Sequence, residues 1–161
     1  MSNSKPTILL VEDNDEDVFL LRRALKKVNV DCTLHSAVDG EEAINYLRGT
    51  GKYADRSAFP MPALVLLDLK LPYVNGFEVL AWTATQPSCK DLRIIILTSS
   101  GEERDRGMAE QFGIAEYFLK PPTHELIVAV TKALQEQSQP HGDLGPHDPK
   151  SVDARRSSDA T

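Results

Sequence analysis

Leu64-Val65-Leu66-Leu67-Asp68-Leu69-Lys70-Leu71-Pro72 decides how the rest of this 161-residue chain is read. Four apolar residues run into one carboxylate, and a proline-containing turn follows. An apolar run this short, bounded by turn signals, suits a strand buried on both faces. Its acid then falls at the edge of a packed sheet, where open α/β proteins build their sites. Most strand-end aspartates only cap turns or helices, so the meaning of Asp68 depends on the rest of the chain.

Upstream, Thr7-Ile8-Leu9-Leu10-Val11 reads as a first buried strand that stops at Glu12-Asp13-Asn14. Val18, Leu21, Leu25 and Val28 then recur at helical spacing, with Arg22, Arg23, Lys26 and Lys27 mostly opposite. Acids at Asp15 to Asp17 and bases at Lys26 and Lys27 suit the two ends of the helix dipole. Residues 32–38 read as a second strand, Asp39-Gly40 as a turn and residues 41–47 as a short helix. Residues 49–62 show no clear period and form a long connection for a compact domain.

Downstream of the central strand, residues 76–82 begin a third helix, with Phe77, Leu80 and Ala81 toward the core and Pro87 as its stop. Residues 92–97 are the strongest strand signal, and they run into Thr98-Ser99-Ser100-Gly101. A polar helix follows over residues 102–111, with Met108 and Phe112 as its clearest apolar positions and Gly113 as a C-cap. Residues 115–119 form a fifth strand ending in Lys120-Pro121-Pro122. A last helix over residues 123–137 carries Leu126, Ile127, Val130 and Leu134 on one face, and a proline suits its start.

From Ser138 the composition changes to Pro, Gly and polar residues with almost nothing apolar, so residues 138–161 are expected to be a disordered tail. His141 and His147 lie in it and read as solvated. Hydrophobic residues at 41% and charged residues at 26% are ordinary for a globular protein. The net charge of -6 argues against a nucleic-acid surface, so direct DNA binding is not expected. Cys32 and Cys89 are too few and too far apart for a disulfide framework or a zinc site, and read as reduced thiols. The N-terminal residues form neither a signal peptide nor a membrane span. The chain is therefore expected in the cytoplasm, away from membranes.

Five strands alternating with five helices imply a doubly wound α/β fold, with right-handed crossovers gathering the strand ends on one edge. There Glu12 and Asp13 follow strand one, Asp68 strand three, Thr98 strand four and Lys120 strand five. Strand two offers no comparable group. Clustered carboxylates repel unless a cation joins them, and oxygen-only ligation points to Mg²⁺ or Mn²⁺. A carboxylate beside such an ion can attack a phosphoryl group, while the ion and the Lys120 ammonium neutralise the transferred charge. A hydroxyl at Thr98 could donate to a phosphoryl oxygen. The set fits phosphoryl acceptance on aspartate.

At this point the motifs Val11-Glu12-Asp13, Leu67-Asp68, Pro72 with Gly76, Leu97-Thr98-Ser99 and Leu119-Lys120-Pro121 come in a telling order. The chain from Lys5 to Gln137 resembles the receiver domains of two-component response regulators. The opening Ile8 to Asn14 and the long loop before Met61-Pro62 resemble the single-domain regulators that work with phytochrome-type histidine kinases. The resemblance implies a flavodoxin-like five-stranded parallel sheet of order 2-1-3-4-5 with five helices, residues 1–137 forming the receiver. It implies that Asp68 is the phosphoacceptor, with Thr98 and Lys120 on the phosphoryl group. Glu12, Asp13, Asp68 and the backbone carbonyl of Lys70 would bind Mg²⁺. The Lys120–Pro121 bond would be cis, and Tyr117 would be the switch aromatic that moves with Thr98.

The expected partners are a sensor histidine kinase, of bacteriophytochrome type by the finer resemblance, and a second copy or other protein on the face of helix four, strand five and helix five. Turnover of a separate substrate is not expected, only self-phosphorylation and self-dephosphorylation. Lys70 and Ser100 lie two residues beyond Asp68 and Thr98, where neighbours influence acyl phosphate hydrolysis. A flavodoxin-like electron carrier would need a hydroxyl-rich phosphate loop where Glu12-Asp13 stands. A haloacid-dehalogenase-type phosphatase wants a second acid where this chain has Lys70. The alternative that remains is a receiver-like module that acts by protein contact without phosphorylation.

Overall fold

The computed structural model describes residues 4–138. The expected tail therefore lies outside the described residues, apart from Ser138, which ends the last helix. The elements alternate as β1 (Thr7–Val11), α1 (Asp15–Lys27), β2 (Thr33–Ala37), α2 (Gly40–Arg48), β3 (Leu64–Leu67) and α3 (Gly76–Ala84). They continue as β4 (Arg93–Thr98), α4 (Glu103–Gln111), β5 (Tyr117–Leu119) and α5 (His124–Ser138). All strand pairs are parallel, and the order is β2-β1-β3-β4-β5. Local chemistry starts several helices: Asn14, Asp39 and Asn75 each accept the N–H three residues on, at 3.1, 2.7 and 3.0 Å.

The apolar runs of β1, β3 and β4 serve two cores at once. Leu9, Val11, Val65, Leu67 and Ile96 pack with Tyr46 and Leu47 of α2, Val79 and Leu80 of α3 and Ala109 of α4. Their neighbours Ile8, Leu10, Leu64, Leu66, Ile95 and Leu97 point the other way, onto Leu21 and Leu25 of α1 and Leu126, Ile127 and Val130 of α5. Each such side chain gains roughly 1.5–3 kcal/mol on leaving water. A one-residue slip would exchange the two sets and mismatch both helical layers, so the register is strongly specified. Val11 pairs with Ala37 and Leu67, Leu67 with Ile96, and Thr98 with Leu119.

Several expectations shift. The β2 signal over residues 32–38 shortens to Thr33–Ala37, and Val38 is exposed, as suits an edge strand. Val28 is exposed too, because it is the C-cap of α1 and lies past the buried stripe. In α3 the inward residues are Val79, Leu80 and Thr83 with Phe77 partly buried, while Ala81 faces out. That helix ends at Ala84, and Pro87 instead opens a 3₁₀ turn, Pro87–Cys89. In α4 the buried positions are Asp105 and Ala109, with Phe112 exposed. Met108, half-buried, shares the face of Asp105 and Ala109, and Phe112 is exposed because it is the C-cap, past the last turn. β5 starts only at Tyr117, and Cys32 and Cys89 are free thiols.

The aperiodic connection of residues 49–62 is packed. Gly49 takes a left-handed φ of 74° to end α2, and a 3₁₀ turn over Gly51–Tyr53 buries Tyr53 against Tyr46 and Phe59. Its anchor is Arg56, whose guanidinium donates to the carbonyls of Tyr46 at 2.8 Å, Leu47 at 2.7 Å and Phe59 at 3.1 Å. The end of α2 thus gives two of its last carbonyls to a side chain from the loop, Tyr46 O accepting the Gly49 N–H as well. Replacing it by Arg56→Ala should lower the unfolding free energy by roughly 1–3 kcal/mol, read as a reduced urea midpoint, because part-buried carbonyls lose their donors.

Candidate functional site

Backbone bonds extend the ladder beyond the strands and fix the residues at its edge. Glu12 N–H donates to Ala37 O at 2.9 Å, Asp68 N–H to Val11 O at 3.1 Å and Lys120 N–H to Thr98 O at 2.9 Å. Glu12, Asp68 and Thr98 are buried there, at 3%, 3% and 0% exposure, while Asp13 is exposed. Burying carboxylates without a partner is costly, and the partner is Lys120. Its ammonium lies 2.6 Å from Glu12 Oε2 and 2.9 Å from both Asp17 Oδ2 and Asp68 Oδ2.

The other oxygen of Asp68 is held from two sides. Thr98 Oγ1 donates to Oδ1 at 2.8 Å, and the Lys70 N–H donates to it at 3.1 Å. Glu12 Oε1 accepts the Asn14 N–H at 3.1 Å. Burial pushes the Glu12 carboxyl up to about 7; the Lys120 ammonium opposes this and the Asp68 charge adds to it. Burial alone would depress Lys120, but hydrogen bonds to Glu12, Asp17 and Asp68 outweigh it and hold the ammonium above the usual lysine range.

Carboxylate oxygens of Glu12, Asp13 and Asp68 all lie within 4.8 Å of one another. Asp17 adds a fourth carboxylate, and Lys120 is the one ammonium among them. An all-oxygen set with excess negative charge fits a hard divalent cation such as Mg²⁺ or Mn²⁺. Lys70 stands in the loop after β3, with its ammonium turned to Asp105 at 3.3 Å. Tyr117, on β5, donates its hydroxyl to Ser100 O at 2.6 Å, and the Arg106 guanidinium lies 4.6 Å from its ring centre. The Lys120–Pro121 peptide bond is cis.

All the residues read from the strand ends therefore meet at one edge, with Tyr117 three residues before Lys120 on β5. The sequence reading missed Asp17 as a partner of Lys120, treating it only as a first-turn acid suited to the helix dipole. One signal was available: Asp17 lies in the first turn of α1, which starts directly after Glu12 and Asp13 at the same sheet edge. Gly76 has a steric role. A Cβ there would lie 2.4 Å from the backbone oxygen of Asp68 and 2.7 Å from Leu69 Cα. Those are backbone atoms that no side-chain rotation moves away. Gly76→Ala should cost roughly 1–3 kcal/mol through overpacking, measured as a lowered urea midpoint.

A parallel sheet of this order with carboxylates, a hydroxyl and an amine at its carboxyl edge defines the receiver class of α/β proteins. The response regulator receiver domain family matches residues 8–132, and the chain belongs to it. Among its relatives is Response regulator Rcp1 of Synechocystis, 39% identical over 104 residues that cover 65% of this chain and 69% of the relative. The Mn(2+)-bound form of Rcp1 has a TM-score of 0.67 at 34% identity, covering 79% of this chain and 90% of that one. The bacteriophytochrome response regulator AtBRR has a TM-score of 0.72 at 36% identity, covering 83% and 94%. A phosphorylated cyanobacterial phytochrome response regulator, RcpA, has a TM-score of 0.69 at 33% identity, covering 83% and 93%. Among the described residues, no helix is long and apolar enough to cross a membrane.

Proposed function

We propose that this receiver accepts a phosphoryl group on Asp68 from a phosphohistidine of a sensor histidine kinase, of the phytochrome type that its relatives' names suggest. The observation that carries the reading is Asp68 itself. It is a buried carboxylate with the Thr98 hydroxyl on one oxygen and the Lys120 ammonium on the other, at 2.8 and 2.9 Å. In the transfer an Asp68 oxygen forms a bond to phosphorus, and the bond from phosphorus to the donor nitrogen breaks with its electron pair left on the imidazole. Lys120 meets the charge brought by the phosphoryl oxygens. Thr98 exchanges its acceptor from Asp68 Oδ1 to one of those oxygens. A divalent cation held by Glu12, Asp13, Asp68 and the Lys70 carbonyl supplies further positive charge when bound.

Asp68 acts as a reversible charge switch, with no turnover of a separate substrate. Any movement of Thr98 passes to the loop after β4, whose Ser100 carbonyl is bonded to Tyr117. The output is a changed face of α4, β5 and α5, where Leu119 is exposed and a partner or second copy would bind. This is a local charge event biasing a two-state element. The relatives solved with Mn²⁺ and in phosphorylated form support the reading by likeness.

With acetyl phosphate and Mg²⁺, the wild type should take up label, while Asp68→Asn and EDTA-treated wild type take up none. Lys120→Ala should label about 100-fold more slowly, the scale of a lost charge-stabilising donor. Equal labelling of the wild type and Asp68→Asn contradicts the assignment. Regulated dimerisation on the α4-β5-α5 face should appear as a phosphorylation-dependent rise in hydrodynamic size that reverses on dilution. A size indifferent to both counts against that output.

A further inference from the structure

Three acids are buried among the described residues: Glu12, Asp68 and Asp105. The first two belong to the strand-edge site. Asp105 stands apart on the first turn of α4, at 5% exposure. A buried carboxylate needs specific partners, and both of its partners come from the site's own loops. The Ser100 hydroxyl donates to Asp105 Oδ2, and the Lys70 ammonium lies 3.3 Å from the same oxygen. These two bonds, led by that of Ser100, outweigh burial and hold the Asp105 carboxyl below the usual range.

Ser100 and Lys70 each stand two residues beyond a group that touches the phosphoryl position. The Ser100 N–H donates to Thr98 Oγ1 at 3.4 Å, and the Lys70 N–H donates to Asp68 Oδ1 at 3.1 Å. Their backbones thus lie against the reacting groups, while their side chains are turned onto one carboxylate of α4. The Ser100 carbonyl also accepts the Tyr117 hydroxyl at 2.6 Å. Asp105 therefore clasps the two loops that flank Asp68, and its partner Ser100 is the residue that Tyr117 holds.

We infer that Asp105 is a positioning residue: it holds the Ser100 hydroxyl away from Asp68 and so lengthens the life of the phosphorylated state. The inference rests on Asp68 being the phosphoacceptor. In hydrolysis, a water oxygen forms a bond to phosphorus and the bond from phosphorus to the Asp68 oxygen breaks, its pair remaining on the carboxylate. Both protons of the water leave with the phosphate. A hydroxyl next to Thr98 that is free to rotate can accept from and orient that water. With its hydrogen on Asp105 and its oxygen accepting the Glu102 N–H at 3.5 Å, the Ser100 hydroxyl is fixed toward α4 and is not free to turn to that water.

The test follows the decay of label from protein phosphorylated with acetyl phosphate and Mg²⁺, after the donor is removed. Asp105→Ala should decay about fivefold faster, or about 1 kcal/mol of barrier, the size of one net hydrogen bond. The double variant Asp105→Ala with Ser100→Ala should return to within about twofold of the wild type. A general loosening of α4 would not be repaired by deleting a hydroxyl. Decay is read only from labelled, hence folded, protein. Should Asp105→Ala not fold, Asp105→Leu, which fills the same space without accepting from Ser100, takes its place with an acceleration of the same size. An unchanged decay in the variant used, or an acceleration that persists without the Ser100 hydroxyl, overturns the inference. Failure of the wild type to label at all would instead overturn the phosphoacceptor reading beneath it.

Discussion

The Lys120 ammonium, shared among Glu12, Asp17 and Asp68, is the interaction on which the carboxyl edge of the sheet depends. Two of those acids are almost fully buried, and neighbouring like charges cannot be kept there without compensation. Removing one partner from a buried ion pair costs on the order of 3–5 kcal/mol, because the remaining charge stays buried. The arrangement is nevertheless incomplete as a neutral unit, since carboxylates outnumber the ammonium. That residual negative charge, opening to solvent at Asp13, is what gives a divalent cation and a phosphoryl group reason to bind. Stability and function are in tension here, which is common where a site is organised before its ligand arrives.

The sheet sets this interaction by register. Because β1, β3 and β4 are buried on both faces, alternate residues are assigned to the α1/α5 layer or the α2/α3/α4 layer. No strand can slide to relieve repulsion at its end. The backbone bonds of Glu12, Asp68 and Lys120 to neighbouring strands carry that register one residue further. Gly76 lets α3 begin against the backbone of the Asp68 loop, and the packed loop of residues 49–62 closes α2 through Arg56. The charges are held together by hydrophobic packing far larger than the electrostatic penalty that they bring.

The parts legible in the sequence were those whose signal is local. Apolar runs ending in a polar residue marked β1, β3 and β4 and thereby Glu12, Asp68 and Thr98. The alternation of elements marked the doubly wound α/β class, and the order of the motifs marked the family, whose resemblance implied the strand order. What stayed hidden depends on tertiary contact. Asp105 looked like one more polar residue of a polar helix, and its burial follows from Ser100 and Lys70, which no periodicity connects to it. Asp17 read as a dipole-favoured acid because its partner Lys120 lies over a hundred residues away in sequence. The loop of residues 49–62 carried no period because its order comes from one arginine and three aromatic rings. Ala81 was misplaced for a related reason: in a short helix that is apolar nearly all round, neighbours choose the inward phase.

The central claim is that the strand-edge charges exist to make Asp68, and no other acid, accept a phosphoryl group. Trapping answers it most directly. An acyl phosphate on aspartate is reduced by borohydride to homoserine, which peptide mass mapping locates to a single position. Protein phosphorylated with acetyl phosphate and Mg²⁺ should yield homoserine at position 68 alone. Homoserine at position 13, hydroxynorvaline (the product from a glutamyl phosphate) at position 12, or neither product at any position in protein that has taken up label, would contradict the account.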